Sequence, residues 1–71
     1  MSTELTKDEK IQIINNHIKN LKTNKYNLEV SLIEENSIEL VSDITVSSLT
    51  AEISNTVSRI EALEAEITKL Q

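Results

Sequence analysis

Five residue types are absent from this chain of 71 residues, and each absence excludes a class of structure or site. Without cysteine there is no disulfide, no thiolate metal site and no cysteine nucleophile. Without glycine there is no phosphate-binding loop and no dinucleotide fingerprint. Without proline no residue forces a helix to end, and without Trp or Phe the only aromatic side chain is Tyr26. We therefore expect no catalytic activity, no cofactor, no metal ion and no small-molecule substrate.

Long apolar runs are also missing. The longest purely apolar runs are two residues long, as at Ile13 and Ile14, so no segment predicts a membrane span. The first ten residues, MSTELTKDEK, contain no apolar core of a secretory signal. A cytoplasmic location is therefore the default expectation.

The apolar residues that are present are nearly all Ile, Leu and Val, and they make up most of a hydrophobic share of 38%. That share is too high for a disordered tail but small for a self-sufficient core. A chain this short, without disulfides or metal, commonly gains stability by associating with copies of itself. We therefore expect a single domain over residues 1–71 that forms a homodimer or tetramer.

The first half predicts one long helix, from about residue 7 to 35. Thr6 and Glu9 form a T-x-x-E capping box at its start. A heptad stripe then follows with spacing 3-4-3-4-3-4, which is typical of a helix that packs along one seam. Its members are Ile11, Ile14, Ile18, Leu21, Lys25, Leu28 and Leu32.

The second half predicts another helix, from about residue 47 to 70, with Ser47 or Ser48 as its N-cap. Its stripe starts at Val46 and continues through Leu49, Ile53, Thr56, Ile60, Leu63, Ile67 and Leu70. Lys25 and Thr56 are the polar members of the two seams. Because a polar residue in an apolar seam fixes register at some loss of stability, we interpret both as register-setting residues. The alternative for Lys25 is that its long side chain simply reaches solvent.

The connection, about residues 36–46, is ambiguous. Ile38, Leu40, Ile44 and Val46 alternate with a period of two, which is typical of a strand. The alternative fold is therefore α-β-β-α, with a β-hairpin at residues 26–46. The heptad register continues unbroken to Leu32 and no glycine-containing turn is present, so the helical interpretation is favoured.

Two long helices and one short connection predict an all-α fold, a two-helix antiparallel hairpin resembling a coiled coil. The distribution of charge supports the antiparallel arrangement. Residues 1–25 carry five Lys against three acids, and residues 26–71 carry nine acids against Arg59 and Lys69, so folding back sets a basic segment beside an acidic one. Tyr26, Val30 and Ile33 lie off the seam, so they predict a second interface and a four-helix bundle of two hairpins. The second helix also has β-branched residues and Leu in the order typical of parallel coils, so oligomer number and orientation stay open.

Functional signals are sparse. His17 has no partner with metal-ligand spacing, and the acids near the connection are interpreted as a solvated turn. Lys19, Lys22 and Lys25 form a basic stripe that could follow phosphates, and the overall shape resembles the plasmid copy-number RNA-binding hairpins. That resemblance implies nucleic-acid binding as the alternative function. The preferred hypothesis is a structural or protein-interaction module that acts through helix–helix packing, as an assembly adaptor of bacterial or phage origin.

Overall fold

The protein is a helical hairpin. The computed structural model describes residues 4–71, in which helix α1 (Lys7–Asn36) and helix α2 (Asp43–Leu70) pack against each other. The described chain has no strand, so the all-α prediction is confirmed and the β-hairpin at residues 26–46 is wrong. The molecule measures 62 × 16 × 15 Å. Over this same part of the chain, neither helix is apolar enough along its length to cross a bilayer.

Helix α1 starts at a complete capping box. The Glu9 backbone N–H donates to the Thr6 hydroxyl oxygen (3.1 Å), and the Thr6 N–H donates to Glu9 Oε1 (2.9 Å). These bonds satisfy two donors that the first helical turn otherwise leaves without partners. Asp8 and Glu9 add negative charge at the positive end of the helix dipole.

Replacing Thr6 with alanine is expected to lower the free energy of unfolding by about 1 kcal/mol, because the side-chain half of the capping box is lost. Urea denaturation followed by circular dichroism would measure it. Thr23→Ala is the matched control, since the Thr23 hydroxyl bonds only to the Lys19 carbonyl within the helix (3.1 Å). Equal losses in the two variants would contradict a capping role.

Glu9 makes part of this stability dependent on pH. Its hydrogen bonds from the Thr6 backbone and then from the Thr6 side chain lower the pKa of the carboxyl group below its ordinary value of 4.5. The folded form therefore holds the proton more weakly than the unfolded form. The resulting stabilisation is complete above pH 4.5 and is lost as the pH falls through the lower folded-state pKa. We expect Glu9→Gln to reduce this dependence in urea titrations at stepwise lower pH.

Helix α1 ends without glycine. At Ser37 the backbone N–H (3.2 Å) and the hydroxyl (2.7 Å) both donate to the Glu34 carbonyl. Ser37 has φ −92° and ψ −4°, and no residue in the range 4–71 has a positive φ. The chain therefore turns without the left-handed conformation for which glycine is usually required.

Helix α2 begins at Asp43, so the predicted start at residue 47 and the predicted N-caps Ser47 and Ser48 are wrong. The N-cap is Ser42, whose hydroxyl oxygen accepts from the Thr45 N–H (3.2 Å). The Ser42 N–H in turn donates to Glu35 Oε1 across the turn (3.0 Å). These bonds shorten the connection from the predicted 36–46 to residues 37–42 and outweigh the modest helix propensity of the β-branched residues that follow.

Ser42→Ala is expected to lower the free energy of unfolding by about 1 kcal/mol, because the cap of α2 is lost. Ser47→Ala is expected to be neutral or slightly stabilising, since alanine is the better helix former in a helix interior. Chemical denaturation of both variants would place the start of the helix. A larger loss for Ser47→Ala would restore the later start.

A two-helix fold leaves this chain little interior. The radius of gyration is 16.8 Å, against about 11 Å for a compact chain of this length. The accessible surface is 5614 Å², against roughly 4,450 Å² for a compact monomer of this mass. Buried side chains are correspondingly few, and within residues 4–71 they are Ile18, Thr56 and Ile60.

Candidate functional site

The two heptad stripes lie along the line where α1 meets α2. Seam residues of both helices line the same surface grooves. Ile14 and Leu70 line a groove at one end of the hairpin, and Leu32 and Ile53 line another towards the opposite end. Every position of the two stripes is buried or half-buried. These positions are Ile11, Ile14, Ile18, Leu21, Lys25, Leu28 and Leu32 in α1, and Val46, Leu49, Ile53, Thr56, Ile60, Leu63, Ile67 and Leu70 in α2. Most of them keep some exposure, because a single partner helix covers only part of each side chain.

Thr56 and Lys25, the polar seam residues, have different surroundings. Thr56 is completely buried, and its hydroxyl donates to the Glu52 carbonyl in the same helix (2.7 Å). Lys25 is half-buried and lines a groove beside Ile60. The Thr56 hydrogen bond stays within α2, so a register-setting role would depend on its small size rather than on a bond to α1. That role stays a prediction for both residues.

A partly apolar surface follows one side of α1, and we call it the flank surface. Its centre is Tyr26, Val30 and Ile33, the residues that the sequence predicts as a second interface. Tyr26 is 67% exposed, Ile33 is 68% exposed and Val30 is half-buried. The flank surface therefore leaves two large apolar side chains of α1, Tyr26 and Ile33, mostly uncovered outside the seam.

Three adjoining grooves shape the flank surface. The first, of about 380 Å³, lies between Ile33 and helix α2 at Thr50 and Ile53. The second, of about 460 Å³, lies between Tyr26 and α2 at Val57. The third, of about 610 Å³, is formed by α1 alone and is lined by Asn15, Ile18, Lys19, Lys22, Thr23, Tyr26 and Asn27. The first two grooves share Glu29, and the second and third share Lys22 and Tyr26, so the three shallow grooves adjoin along one side of the hairpin.

The predicted basic stripe is not an isolated patch of positive charge. Lys22 and Lys25 line the same groove as Glu61 and Glu64 of α2. Lys19 lies nearer the start of α1, and it lines the groove that has no carboxylate among its lining residues. The acids beside Lys22 and Lys25 reduce the positive potential that a phosphate backbone would need.

The end of the hairpin exposes an apolar patch that sequence reasoning missed as an interaction surface. We call it the tip patch, and it consists of Ile38, Leu40, Val41 and Ile44. Leu40 is 89% exposed and Ile44 is 81% exposed. The available signal is that these residues fall outside both heptad stripes. The alternation of Ile38, Leu40 and Ile44 with polar neighbours supports only the alternative strand interpretation, and the favoured interpretation of the segment is a connection without an interaction role. Four acidic residues lie close to them in the sequence, namely Glu34, Glu35, Glu39 and Asp43.

The opposite end of the hairpin carries a smaller groove of about 260 Å³, lined by Leu5, Lys10, Ile13, Ile14, Glu66 and Leu70. Leu5 and Ile13 are exposed there and were also missed. His17 is exposed on α1. In the part of the chain that the structure describes, no three His, Asp or Glu side chains are placed together to hold a metal ion.

Comparison of the chain with protein-family models, with curated proteins and with solved structures found no match.

Proposed function

We propose that this protein is a non-catalytic interaction module that associates with itself through helix–helix packing. The observation that carries the proposal is the exposed apolar flank surface beside a seam that one hairpin covers only in part. Its chemistry would be that of a packing surface, with apolar anchors at Tyr26 and Ile33 and charged residues at the edges. Association would take the form of two hairpins in a four-helix bundle.

The exposed area supports this proposal quantitatively. The hairpin exposes about 1,200 Å² more than a compact monomer of its mass. A stable interface of standard size buries about 800 Å² on each partner. One dimer contact would therefore remove about two-thirds of that excess exposure. Through its remaining surfaces, such a bundle would serve as an adaptor in a larger assembly.

Protein binding is favoured over nucleic-acid binding by the surroundings of the lysines. Glu61 and Glu64 lie in the groove of Lys22 and Lys25, and the chain carries a net charge of −5. A phosphate-binding helix would need an uncompensated basic face to gain from the release of counterions. The presence of both lysine and glutamate side chains in this groove suits contact with a protein surface of mixed charge.

Sedimentation equilibrium over a concentration series tests the proposal. We expect the mass to rise from one chain of 8.0 kDa to a multiple of it. A mass that stays at one chain up to millimolar concentration would overturn self-association. Binding to single-stranded RNA in a gel shift at low salt, by such a monomer, would instead support the nucleic-acid alternative.

A further inference from the structure

The two most exposed large apolar side chains in residues 4–71, Leu40 and Ile44, both belong to the tip patch. All ten residues from 36 to 45 are exposed, so the two helices cover little of the patch. An exposed apolar patch bordered by charged residues is typical of an interaction site. A partner that covered the patch would gain affinity from the apolar area removed from water.

Hydrogen bonds hold the turn that carries the tip patch at both of its ends. Ser37 closes the end of α1 onto the Glu34 carbonyl. The Ser42 N–H donates to Glu35 Oε1, and the Ser42 hydroxyl caps α2. The backbone that presents Leu40 is therefore anchored before any partner arrives. A surface that is already ordered loses less conformational entropy on binding than one that must first fold.

Charge is distributed unequally between the two ends of the hairpin. Tyr26 lines the same groove as Val57, so residues 26–58 form the half of the hairpin that contains the turn. This half carries six acids and no Lys, Arg or His. The rest of the chain carries seven basic residues against six acids. The negative net charge of the protein therefore comes from the half that carries the tip patch.

The ends of the helices do not offset this charge. Helix α1 ends at the turn and has no basic residue in its last turn, so the negative end of its dipole adds to the acids. Helix α2 begins there, and Asp43 in its first turn opposes the positive end of that dipole. Glu39, which precedes Leu40, and Asp43, which precedes Ile44, are both exposed. The tip therefore combines apolar side chains with a negative potential.

We propose that the tip patch binds a segment of another protein in which apolar residues are flanked by Lys or Arg, as on a basic amphipathic helix. Its apolar side chains would cover Leu40 and Ile44, and its basic side chains would meet Glu39 and Asp43. An apolar centre with a charged rim is the ordinary division of a protein interface. Such binding is additional to self-association and does not depend on it, because no residue of the tip patch lines a groove of the flank surface.

Other occupants fit the charge of the tip less well. Two tips that faced each other would bring together two segments with six acids and no base each. Like charges across an interface oppose association. The phosphates of nucleic acids and of anionic lipids are opposed by the same acids. A partner with basic side chains is the occupant that these charges favour.

Fluorescence anisotropy with labelled model peptides tests the proposal. The probe is an amphipathic helical peptide of Leu and Lys, titrated with the full chain. In one matched peptide Glu replaces Lys, and in a second Ser replaces Leu. We expect the Leu–Lys peptide to bind at least about tenfold more tightly than either matched peptide, because only it supplies both apolar contact and positive charge.

Two pairs of variants locate the contact. Leu40→Ser and Glu39→Lys are each expected to weaken binding of the Leu–Lys peptide by about tenfold. Leu5→Ser and Glu66→Lys are the controls, since they make the same changes at exposed positions at the opposite end of the hairpin. Their affinities should stay within about twofold of the wild type, because charges farther away than a Debye length are screened. Circular dichroism checks that each variant keeps its helices.

Sedimentation of the wild type and of Leu40→Ser measures self-association separately from peptide binding. Peptide binding by a chain that sediments as a monomer supports the tip contact and overturns self-association. A dimer that binds no peptide, or binds both lysine peptides equally, overturns the tip contact and leaves self-association standing. Equal weakening by Leu40→Ser and Leu5→Ser also overturns it.

Two further outcomes would identify a different occupant. Loss of self-association in Leu40→Ser would show that a second copy of the chain covers the patch. Binding to neutral phosphatidylcholine vesicles, without binding to the Leu–Lys peptide, would show that a bilayer covers it. Either result would overturn the proposal.

Discussion

Replacing Ile60 with alanine is expected to lower the free energy of unfolding by about 2–4 kcal/mol, through lost burial and the cavity that remains. Ile60 is 8% exposed, and Ile18 on α1 is the other buried apolar side chain in residues 4–71. A chain of this size rarely has more than about 3–5 kcal/mol of stability in total. We therefore expect Ile60→Ala to be largely unfolded at low concentration, as circular dichroism at 222 nm during urea titration would show.

Ile44→Ala is the matched control, because the substitution is the same but Ile44 is 81% exposed. Its effect on stability is expected to stay within about 0.5 kcal/mol, as for surface substitutions in general. Both variants and the wild type need the same protein concentration, since association adds to apparent stability. Similar losses at the two positions would contradict the location of the seam.

The second large effect is expected at Ile33, where glutamate should weaken self-association by about a hundredfold. A hundredfold change corresponds to about 2.7 kcal/mol, which is the scale of a lost apolar anchor together with a charge introduced into the contact. The fold should remain, because Ile33 is 68% exposed in the hairpin. Sedimentation equilibrium measures the dissociation constant, and circular dichroism checks the helix content.

Asn20→Glu is the control for this prediction. It introduces the same negative charge at an exposed position of α1 that lines none of the three grooves. We expect its dissociation constant to stay within about twofold of the wild type. Equal weakening by the two variants would show that net charge, rather than the flank surface, controls the association.

Much of the fold follows from local patterns. The stripes from Ile11 to Leu32 and from Val46 to Leu70 predict two helices and the faces that pack. They do so because the average spacing of apolar residues in a heptad is close to the number of residues in one helical turn. Thr6 and Glu9 predict the start of α1 because a capping box involves residues only three apart. The off-seam position of Tyr26 and Ile33 likewise identifies the candidate surface without tertiary information.

The connection was mispredicted because its structure depends on residues that are distant in sequence. Ser42 becomes the N-cap of α2 while its N–H bonds to Glu35, seven residues earlier and on the other helix. That bond exists only once the chain has turned. Without it, the β-branched residues around Ile44 favour a strand or an irregular segment over a helix.

The amino-acid sequence by itself determined that this protein forms two amphipathic helices, where α1 begins, and which side chains form the seam. Only the tertiary structure decided where the chain turns, which of the lysines line the groove of Glu61 and Glu64, and that the tip patch is exposed. The reason is physical: periodicity and capping act over one or two helical turns. Groove composition and exposure depend instead on how the two helices align after the chain folds back.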